Sequence, residues 1–501
     1  MFMKNSSMFS KTCAIASLVM ALAIFGGCDK KSRDRFGQLT LKSGQGLGVV
    51  GASYKTAYVL SSVTSTDLNR YQIPYNNLNY YVPTTYSSNF DTLTSSNYAT
   101  AGYASGSYGL ISIVAIEDKT SVTVNNLQSL TNFQYRIPNY NSGITAIQTG
   151  QIGIVDEGVT EDSFINILPD GSSLLVSSPS TEIVTQFYLN ENGSIAGVNK
   201  IYLRFAGDSG YPIKPTRFVA SRNWPEEPYV FVATNRGVAT LVFKDPSEFS
   251  TLSRPSPMGS LFGTVEPVSK DLLPYPTQRV PKVLDIAITA DNKYVYASNE
   301  YNQIFFRKME DLENQVPFSE CIYQKNFPGL KLASIPSATA KYLFENYNLF
   351  NTENGGTAIT GSVYDYLHSV GVLTPGGLFF INQSTPSNML NWNKLYSLKP
   401  VAIGFHPSGK SALILTENYL IVGKFAKNQE SGTSIAGQYL SNIQLSKGKA
   451  KEMAQDPEGK ILAVVEKNAV SFFRLEDKAG IVSRGDYPTG IPGQTISVAI
   501  R

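Results

Sequence analysis

The stretch that decides the fold runs from Lys282 to Asp311 and reads KVLDIAITADNKYVYASNEYNQIFFRKMED. It begins with an apolar run, turns at Asp291-Asn292-Lys293, continues with a second apolar run, breaks at polar residues and ends with a third. Short apolar runs bounded by turn-forming residues are typical of β-strands joined in hairpins. This stretch therefore predicts three antiparallel strands.

The same pattern recurs along the chain. KPVAIGFHPSGKSALILTENYLIVGKFAKN begins at Lys399, and AKEMAQDPEGKILAVVEKNAVSFFRLED begins at Ala450. Weaker copies begin at Lys214, Asp162 and Leu110. The turns recur about every 50 to 65 residues, with one double interval that implies an irregular copy within residues 331–398, and such a period is the signature of a repeat fold.

Each unit consists of short strands and lacks the Lys or Pro that would protect an exposed sheet edge. We therefore predict an all-β fold in which four-stranded blades stack radially into a β-propeller. IAITADNKYVYASN from Ile286 and IGFHPSGKSALILTEN from Ile403 resemble the YVTN and WD40-like propeller repeats. TGIPGQTISVAI from Thr489 is similar to the junction between repeats in that family. The resemblance implies a propeller and says almost nothing about activity.

The two chain ends predict how the ring closes. Ile496, Val498 and Ile500 lie on one face of a strand that no partner follows, while SYKTAYVLSS from Ser53 looks like a second strand. We expect these segments to pair and complete one shared blade, which gives seven or eight blades. The alternative is a separate β-domain over residues 45–190 followed by a smaller propeller.

The N-terminus indicates export. Lys4 and Lys11 precede an apolar run that is too short to span a bilayer, as in a signal peptide. Gly26-Gly27-Cys28 resembles the lipobox of bacterial lipoproteins, although Phe25 replaces the usual leucine. The resemblance implies an acylated Cys28 that anchors the chain to a membrane of the cell envelope, facing the periplasm rather than the cell surface. The domains expected are a signal peptide (1–27), a flexible tether (28–45) and the propeller (46–501).

Net charge and cysteine count limit the partners and cross-links that we expect. The formal charge is +3, of which the signal peptide carries two, so the mature surface is nearly neutral and a nucleic acid is not expected as a partner. Cys321 is the one cysteine left after cleavage and acylation, so an intramolecular disulfide is excluded. We expect a monomer.

A tyrosine-rich stretch is the candidate binding surface. Residues 71–108 combine tyrosine with Ser, Thr, Asn and Gly, a composition typical of recognition loops, and predict contact with a protein or glycan, against the alternative of a long loop with edge-strand tyrosines. The candidate residues are Tyr80, Tyr81, Tyr86, Tyr98, Tyr103 and Tyr108.

Catalytic motifs are scarce. The chain has two histidines, His368 and His406, and lacks a calcium loop, a phosphate-binding glycine loop and a CxxC pair. His406 reads as a turn residue. We therefore predict no catalytic residue, no metal and no cofactor, and we interpret the chain as a non-catalytic protein-binding scaffold. The alternatives are a propeller hydrolase of the lactonase type, whose carboxylates would converge at the mouth of a central channel, and a surface adhesin.

Overall fold

A computed structural model gives the architecture. It describes residues 39–40, 53–66, 107–118, 122–126, 153–155, 158–189, 193, 195–203, 213–243, 265–266, 282–312, 318–321, 330–347, 362–383, 399–427, 435–467, 469–476, 480–488 and 494–501. Within these residues the chain is an all-β protein that forms seven antiparallel sheets.

The first sheet takes strands from both ends of the chain. Its strands are β1 (Leu39–Thr40), β2 (Ser53–Thr64), β3 (Ser107–Asp118), β4 (Val122–Asn126), β5 (Gly153–Val155) and β29 (Gln494–Ile500).

The other six sheets each use strands that are consecutive in sequence. The second and third contain β6 (Ile165–Ile167), β7 (Ser173–Ser178), β8 (Ile183–Leu189) and β9 (Ile195–Tyr202), then β10 (Pro215–Ala220), β11 (Tyr229–Thr234), β12 (Gly237–Val242) and β13 (Val265–Glu266). The fourth and fifth contain β14 (Val283–Ile288), β15 (Tyr294–Asn299), β16 (Ile304–Lys308) and β17 (Ser319–Glu320), then β18 (Lys331–Ser334), β19 (Val370–Thr374) and β20 (Gly377–Ile381). The sixth and seventh contain β21 (Pro400–Phe405), β22 (Ser411–Thr416), β23 (Tyr419–Lys427) and β24 (Ile435–Gln444), then β25 (Ala450–Gln455), β26 (Ile461–Glu466), β27 (Ala469–Glu476) and β28 (Gly480–Pro488).

The helical part of the described chain is small. Helix α1 (Ser337–Asn346) and helix α2 (Val363–Leu367) both lie in the irregular repeat. A single 3-10 turn covers Met309–Asp311. None of the helices formed by the described residues is long and apolar enough to cross a membrane.

The turns that reverse the chain follow the predicted chemistry. In the turn after β21, Gly409 has φ +82°, and a Cβ there would lie 2.5 Å from the backbone of Ala338. A residue with a side chain would therefore be strained and would collide with α1. His406 Nδ1 accepts the Ser408 N–H at 3.1 Å, which confirms its role within this turn.

The predicted pairing of the two chain ends is confirmed. Strand β29 pairs antiparallel with β2, so that Ala57 lies opposite Ile500 and Val59 opposite Val498. The Arg501 N–H donates to the Thr56 carbonyl at 2.7 Å and extends this ladder. The first sheet therefore joins the N-terminal and C-terminal strands in one hydrogen-bonded unit.

The core consists of apolar layers between neighbouring sheets. Each of seven clusters combines side chains of two successive sheets, and one of them joins Val465 and Phe472 of the seventh sheet to Val59 and Val498 of the first. Burial of apolar side chains on both faces explains strands such as β22, in which every residue is buried.

One strand of each sheet contacts its counterparts in a cyclic order. These inner strands are β29, β6, β10, β14, β18, β21 and β25, and β25 in turn contacts β29. The charged groups described next lie on these inner strands.

Candidate functional site

Three charged residues occupy the same place in three repeats. Arg217, Asp285 and Glu452 each lie three residues after a lysine that precedes or enters an inner strand, in the segments KPTR, KVLD and KAKE. Each also follows a register shift, between Pro215 and Arg217 in β10 and at the matching places in β14 and β25. A β-bulge redirects the side chain that follows it. We name these three residues the acid–base cluster.

Glu452 is a buried carboxyl group on β25. Its side chain is 5% exposed. Burial raises the pKa of Glu452 to about 8; the Arg217 guanidinium and a hydrogen bond with Ser497 on β29 oppose this rise, and Asp285 adds to it. Because burial disfavours the ionised form, Glu452 carries its proton at pH 7.

Ser497 is fixed in place by the neighbouring sheet. Its Oγ accepts the N–H of Ile165 on β6 at 3.0 Å. The hydroxyl hydrogen of Ser497 is therefore free to point at the carboxyl group of Glu452. A residue of the last strand thus holds the candidate acid.

Asp285 is an anchor for Arg217. Its Oδ1 accepts the N–H of Ile286 and its Oδ2 accepts the N–H of Leu332, each at 3.0 Å. The Arg217 Nε lies 4.0 Å from Asp285 Oδ1, and the guanidinium lies 5.0 Å above the ring of Phe164. A carboxylate and an aromatic face therefore position the Arg217 guanidinium.

Lys331, the first residue of β18, brings a second cation to the same region. Burial, Arg217 and Lys282 all lower the pKa of Lys331, whereas Asp285 and Asp162 raise it. Lys331 and the four charged residues that act on it lie on four inner strands or just before them. The cyclic order of the inner strands therefore brings together parts of the chain that are distant in sequence.

A cavity of about 590 Å³ lies where β10 and β14 begin, and its wall is formed by sequence neighbours of the acid–base cluster rather than by the cluster itself. Thr216, the neighbour of Arg217 in β10, is part of its wall, and Lys282 and Asp162 belong to it as well. This volume suits a small molecule. The lining residues are Thr160, Asp162, Pro179, Ser180, Lys214, Thr216, Asn235, Arg236, Lys282 and Glu300.

The turn before β6 contributes Thr160 and Asp162 to the cavity wall. Lys282 Nζ lies 3.0 Å from Asp162 Oδ2, and Lys451 Nζ lies 3.7 Å from Glu161 Oε2. We name Thr160–Ser163 the bridging turn, since its two carboxylates reach lysines of the fourth and seventh sheets. Within the turn, the Thr160 N–H donates to Ser163 Oγ at 2.9 Å.

His368 pairs with Asp291, which the sequence predicts only as a turn residue. Its Nε2 lies 2.8 Å from Asp291 Oδ2, in the turn between β14 and β15, and the ring of Tyr294 packs 5.0 Å away. Lys282 and Asp291 lie at opposite ends of β14, so His368 is remote from the cavity. Among the described residues, no group of three or more His, Cys, Asp or Glu is arranged to hold a metal ion.

Most of the lipidation and binding residues predicted from the sequence lie outside the described residues. Tyr108 lies on β3 opposite Val63 and is 7% exposed, so its side chain offers little surface to a partner. Cys28, Tyr80, Tyr81, Tyr86, Tyr98 and Tyr103 lie outside the described residues.

Comparison with known proteins gives similarity in structure only. No family model and no curated protein sequence matches the chain. A periplasmic gluconolactonase of Pseudomonas aeruginosa is 12% identical with a TM-score of 0.45, covering 78% of this chain and 94% of its own. A putative 6-phosphogluconolactonase from Bacteroides uniformis is 10% identical with a TM-score of 0.48, covering 89% of this chain and 99% of its own.

Two sequence-based expectations are corrected here. The interpretation as a non-catalytic protein-binding scaffold, and the expectation that the chain is not an enzyme, are contradicted because both similar structures bear the names of enzymes. The charged residues of the acid–base cluster stand in the inner strands, and their matching positions after Lys214, Lys282 and Lys449 are a signal that the sequence contains.

Proposed function

We propose that the chain is an acid–base hydrolase of small-molecule esters or lactones, with Glu452 as the general acid. The observation that carries this proposal is a buried carboxyl group with a pKa of about 8 beside the Arg217 guanidinium, whose sequence neighbour Thr216 lines a cavity of about 590 Å³. Perturbed carboxyl groups of this kind mark candidate catalytic sites.

The residues have distinct roles in this reaction. Water adds to the carbonyl carbon, and the Arg217 guanidinium stabilises the negative charge that develops on the carbonyl oxygen. The C–O bond then breaks, and Glu452 donates its proton to the leaving oxygen, giving an acid and an alcohol. The proton released by the attacking water restores Glu452. Asp285 acts as a positioning residue by holding Arg217.

The experiment compares Glu452→Gln with wild type on a panel of chromogenic esters and lactones. Gln keeps the shape and cannot donate an acidic proton, so we expect kcat to fall at least about 100-fold. Wild-type activity should decline as the pH rises through about 8, since Glu452 then loses its proton. Glu476→Gln, at an exposed carboxylate paired with Arg474, is the matched control and should retain activity. Full activity in Glu452→Gln, or no hydrolysis of any panel member by wild type, contradicts the proposal.

The proposed architecture for this enzyme is a seven-bladed β-propeller. Its support is the cyclic order of the inner strands, the apolar layer between each pair of successive sheets, and the pairing of β29 with β2. Such an arrangement leaves no sheet edge open at the chain ends.

The proposed location is the periplasmic side of a bacterial membrane, with Cys28 as the acylated anchor. The apolar run within residues 14–25 and the Gly26-Gly27-Cys28 segment support it. Cys28→Ser should release the protein into the soluble fraction of cells. Unchanged membrane association would contradict lipidation at this residue.

A further inference from the structure

The inner strands end at one common face of the described fold. A hydrogen-bonded turn follows each of β6, β14, β21 and β25. Neighbouring turns contact one another: the Arg222 N–H donates to Asn292 Oδ1 at 2.8 Å, and Ser337 Oγ donates to the Ala290 carbonyl at 3.2 Å. The turn after β21 meets α1 at Gly409. We name this side the turn face; the cavity lies at the opposite end of the inner strands, where β10 and β14 begin.

The N-terminal part of the chain joins the first sheet at the turn face. Lys55 of β2 forms a buried ion pair with Asp456, which begins the turn after β25. Strand β1 pairs with the first residues of β2, so that Leu39 lies opposite Tyr54. Leu39 is therefore at the turn face, and it follows Cys28 by eleven residues.

This short connection limits how far an anchor at Cys28 lies from the turn face. Eleven residues reach about 40 Å when fully extended, and an irregular chain of that length spans roughly 18 Å on average. The six residues of β14 alone cover about 20 Å between the two faces. A lipid on Cys28 would therefore bring the turn face, rather than the cavity, next to the bilayer.

Exposed aromatic side chains are concentrated on the same face. Among the described residues, three large apolar side chains are exposed, namely Tyr301, Phe344 and Tyr364. Phe344 belongs to α1 and Tyr364 to α2, both at the turn face. Tyr301 follows β15 at the other end, next to Glu300 of the cavity wall. Aromatic side chains are favoured at the boundary between lipid and water.

The charges beside the two rings are of both signs. Lys293 Nζ lies 6.0 Å from the centre of the Tyr364 ring. Lys341, on the exposed side of α1 near Phe344, pairs with Glu345 at 3.8 Å. Lysine side chains next to an inserted ring can extend their ammonium groups to lipid phosphates. Because an acidic side chain accompanies the basic ones, apolar contact rather than net charge would hold this surface to a bilayer.

We propose that the turn face docks on the phospholipid surface of the membrane that carries the Cys28 anchor, with Phe344 and Tyr364 at the level of the headgroups. The cavity then opens away from the bilayer. This inference rests on the proposed membrane location and is independent of the proposed hydrolysis.

The test is tryptophan quenching in full-length protein purified from membranes and bound to vesicles of brominated phosphatidylcholine. Phe344→Trp and Tyr364→Trp each add a probe at the turn face, and Tyr301→Trp is the matched control at the cavity end. All three side chains are exposed and aromatic, so the core is unchanged. After subtraction of wild-type fluorescence, the first two probes should lose most of their intensity and Tyr301→Trp should keep its intensity. Anionic lipid should change this little.

Failure of this inference is distinguishable from failure of the proposed anchor. If wild type does not bind the vesicles, or if either turn-face probe is quenched no more than Tyr301→Trp, the inference is overturned. Quenching of both turn-face probes, together with Cys28→Ser bound as firmly as wild type, supports the inference and overturns Cys28 as the anchor. Cys28→Ser released from the vesicles, with no quenching of the turn-face probes in the anchored chain, supports the anchor and overturns the inference.

Discussion

At the scale of single residues, the important feature is a carboxyl group that burial keeps protonated. Glu452 is 5% exposed, and no described residue fully neutralises the cost of ionising it there. Asp285, by contrast, accepts two backbone N–H groups and lies beside Arg217, an environment that suits an ionised carboxylate. Two acidic side chains in one cluster thus have environments suited to different protonation states.

The free energy of unfolding should depend on pH through the protonation of Glu452. Its folded pKa of about 8 lies above the usual 4.5, so between these pH values the unfolded chain releases a proton that the folded chain keeps. The contribution of Glu452 to stability is therefore largest at or below pH 4.5 and falls as the pH rises to about 8. We expect Glu452→Gln to remove this loss, which amounts to roughly 3 kcal/mol at pH 7.

Urea unfolding at pH 5 and pH 8 measures this effect. The free energy of unfolding of wild type should drop more between the two pH values than that of Glu452→Gln. Glu476→Gln, at a half-exposed carboxylate, should follow wild type. Equal pH dependence in wild type and Glu452→Gln would show that Glu452 is ionised in the folded chain.

At the scale of elements, the bridging turn links sheets that are not neighbours. Its carboxylates reach Lys282 and Lys451, and both ion pairs are at least partly open to solvent. Exposed ion pairs stabilise a fold by less than about 1 kcal/mol.

Asp162→Asn should therefore change the free energy of unfolding by less than about 1 kcal/mol. Urea unfolding measures this quantity. Glu310→Gln, at an exposed carboxylate beside Lys308, is the control and should leave stability unchanged. A loss of several kcal/mol in Asp162→Asn would show that the bridging turn stabilises the fold by more than an exposed ion pair does.

Local patterns were sufficient to predict the hairpins and the pairing of β29 with β2. The expectation that Ile496, Val498 and Ile500 share one face of β29 is wrong for Ile496. Val498 and Ile500 pack between the first and seventh sheets, whereas the register shift at Ile496 places its side chain between the first and second sheets. The second helix, Val363–Leu367, was missed although Ser362 and Asp365 form a capping box. The described part of the fifth sheet has three strands rather than the expected four.

The acid–base cluster could not be predicted from local sequence patterns. Arg217, Asp285 and Glu452 are ordinary charged residues in three separate strands, and the lysine three residues before each one marks a shared place in the repeat without indicating a catalytic role. Their convergence depends on the cyclic order of the inner strands. Burial of Glu452, which raises its pKa, is likewise a property of the assembled sheets.

At the scale of the whole molecule, joining the chain ends completes the site. Strand β29 supplies Ser497 to Glu452, and its backbone pairs with β2 from the opposite end of the chain. A buried ion pair between Lys55 of β2 and Asp456, in the turn after β25, further ties the first sheet to the seventh. The protonated state of Glu452 therefore reports both the closed fold and the proposed chemistry.

Infrared spectroscopy of the carboxyl C=O stretch between pH 6 and pH 9 tests this most directly. Carboxyl groups with ordinary pKa values are ionised throughout this range. We expect a protonated-carboxyl band that is present at pH 6 to 7, disappears as the pH rises through about 8, and is missing from Glu452→Gln. Absence of this band in wild type, or its persistence in Glu452→Gln, would contradict a protonated Glu452 at the centre of the site.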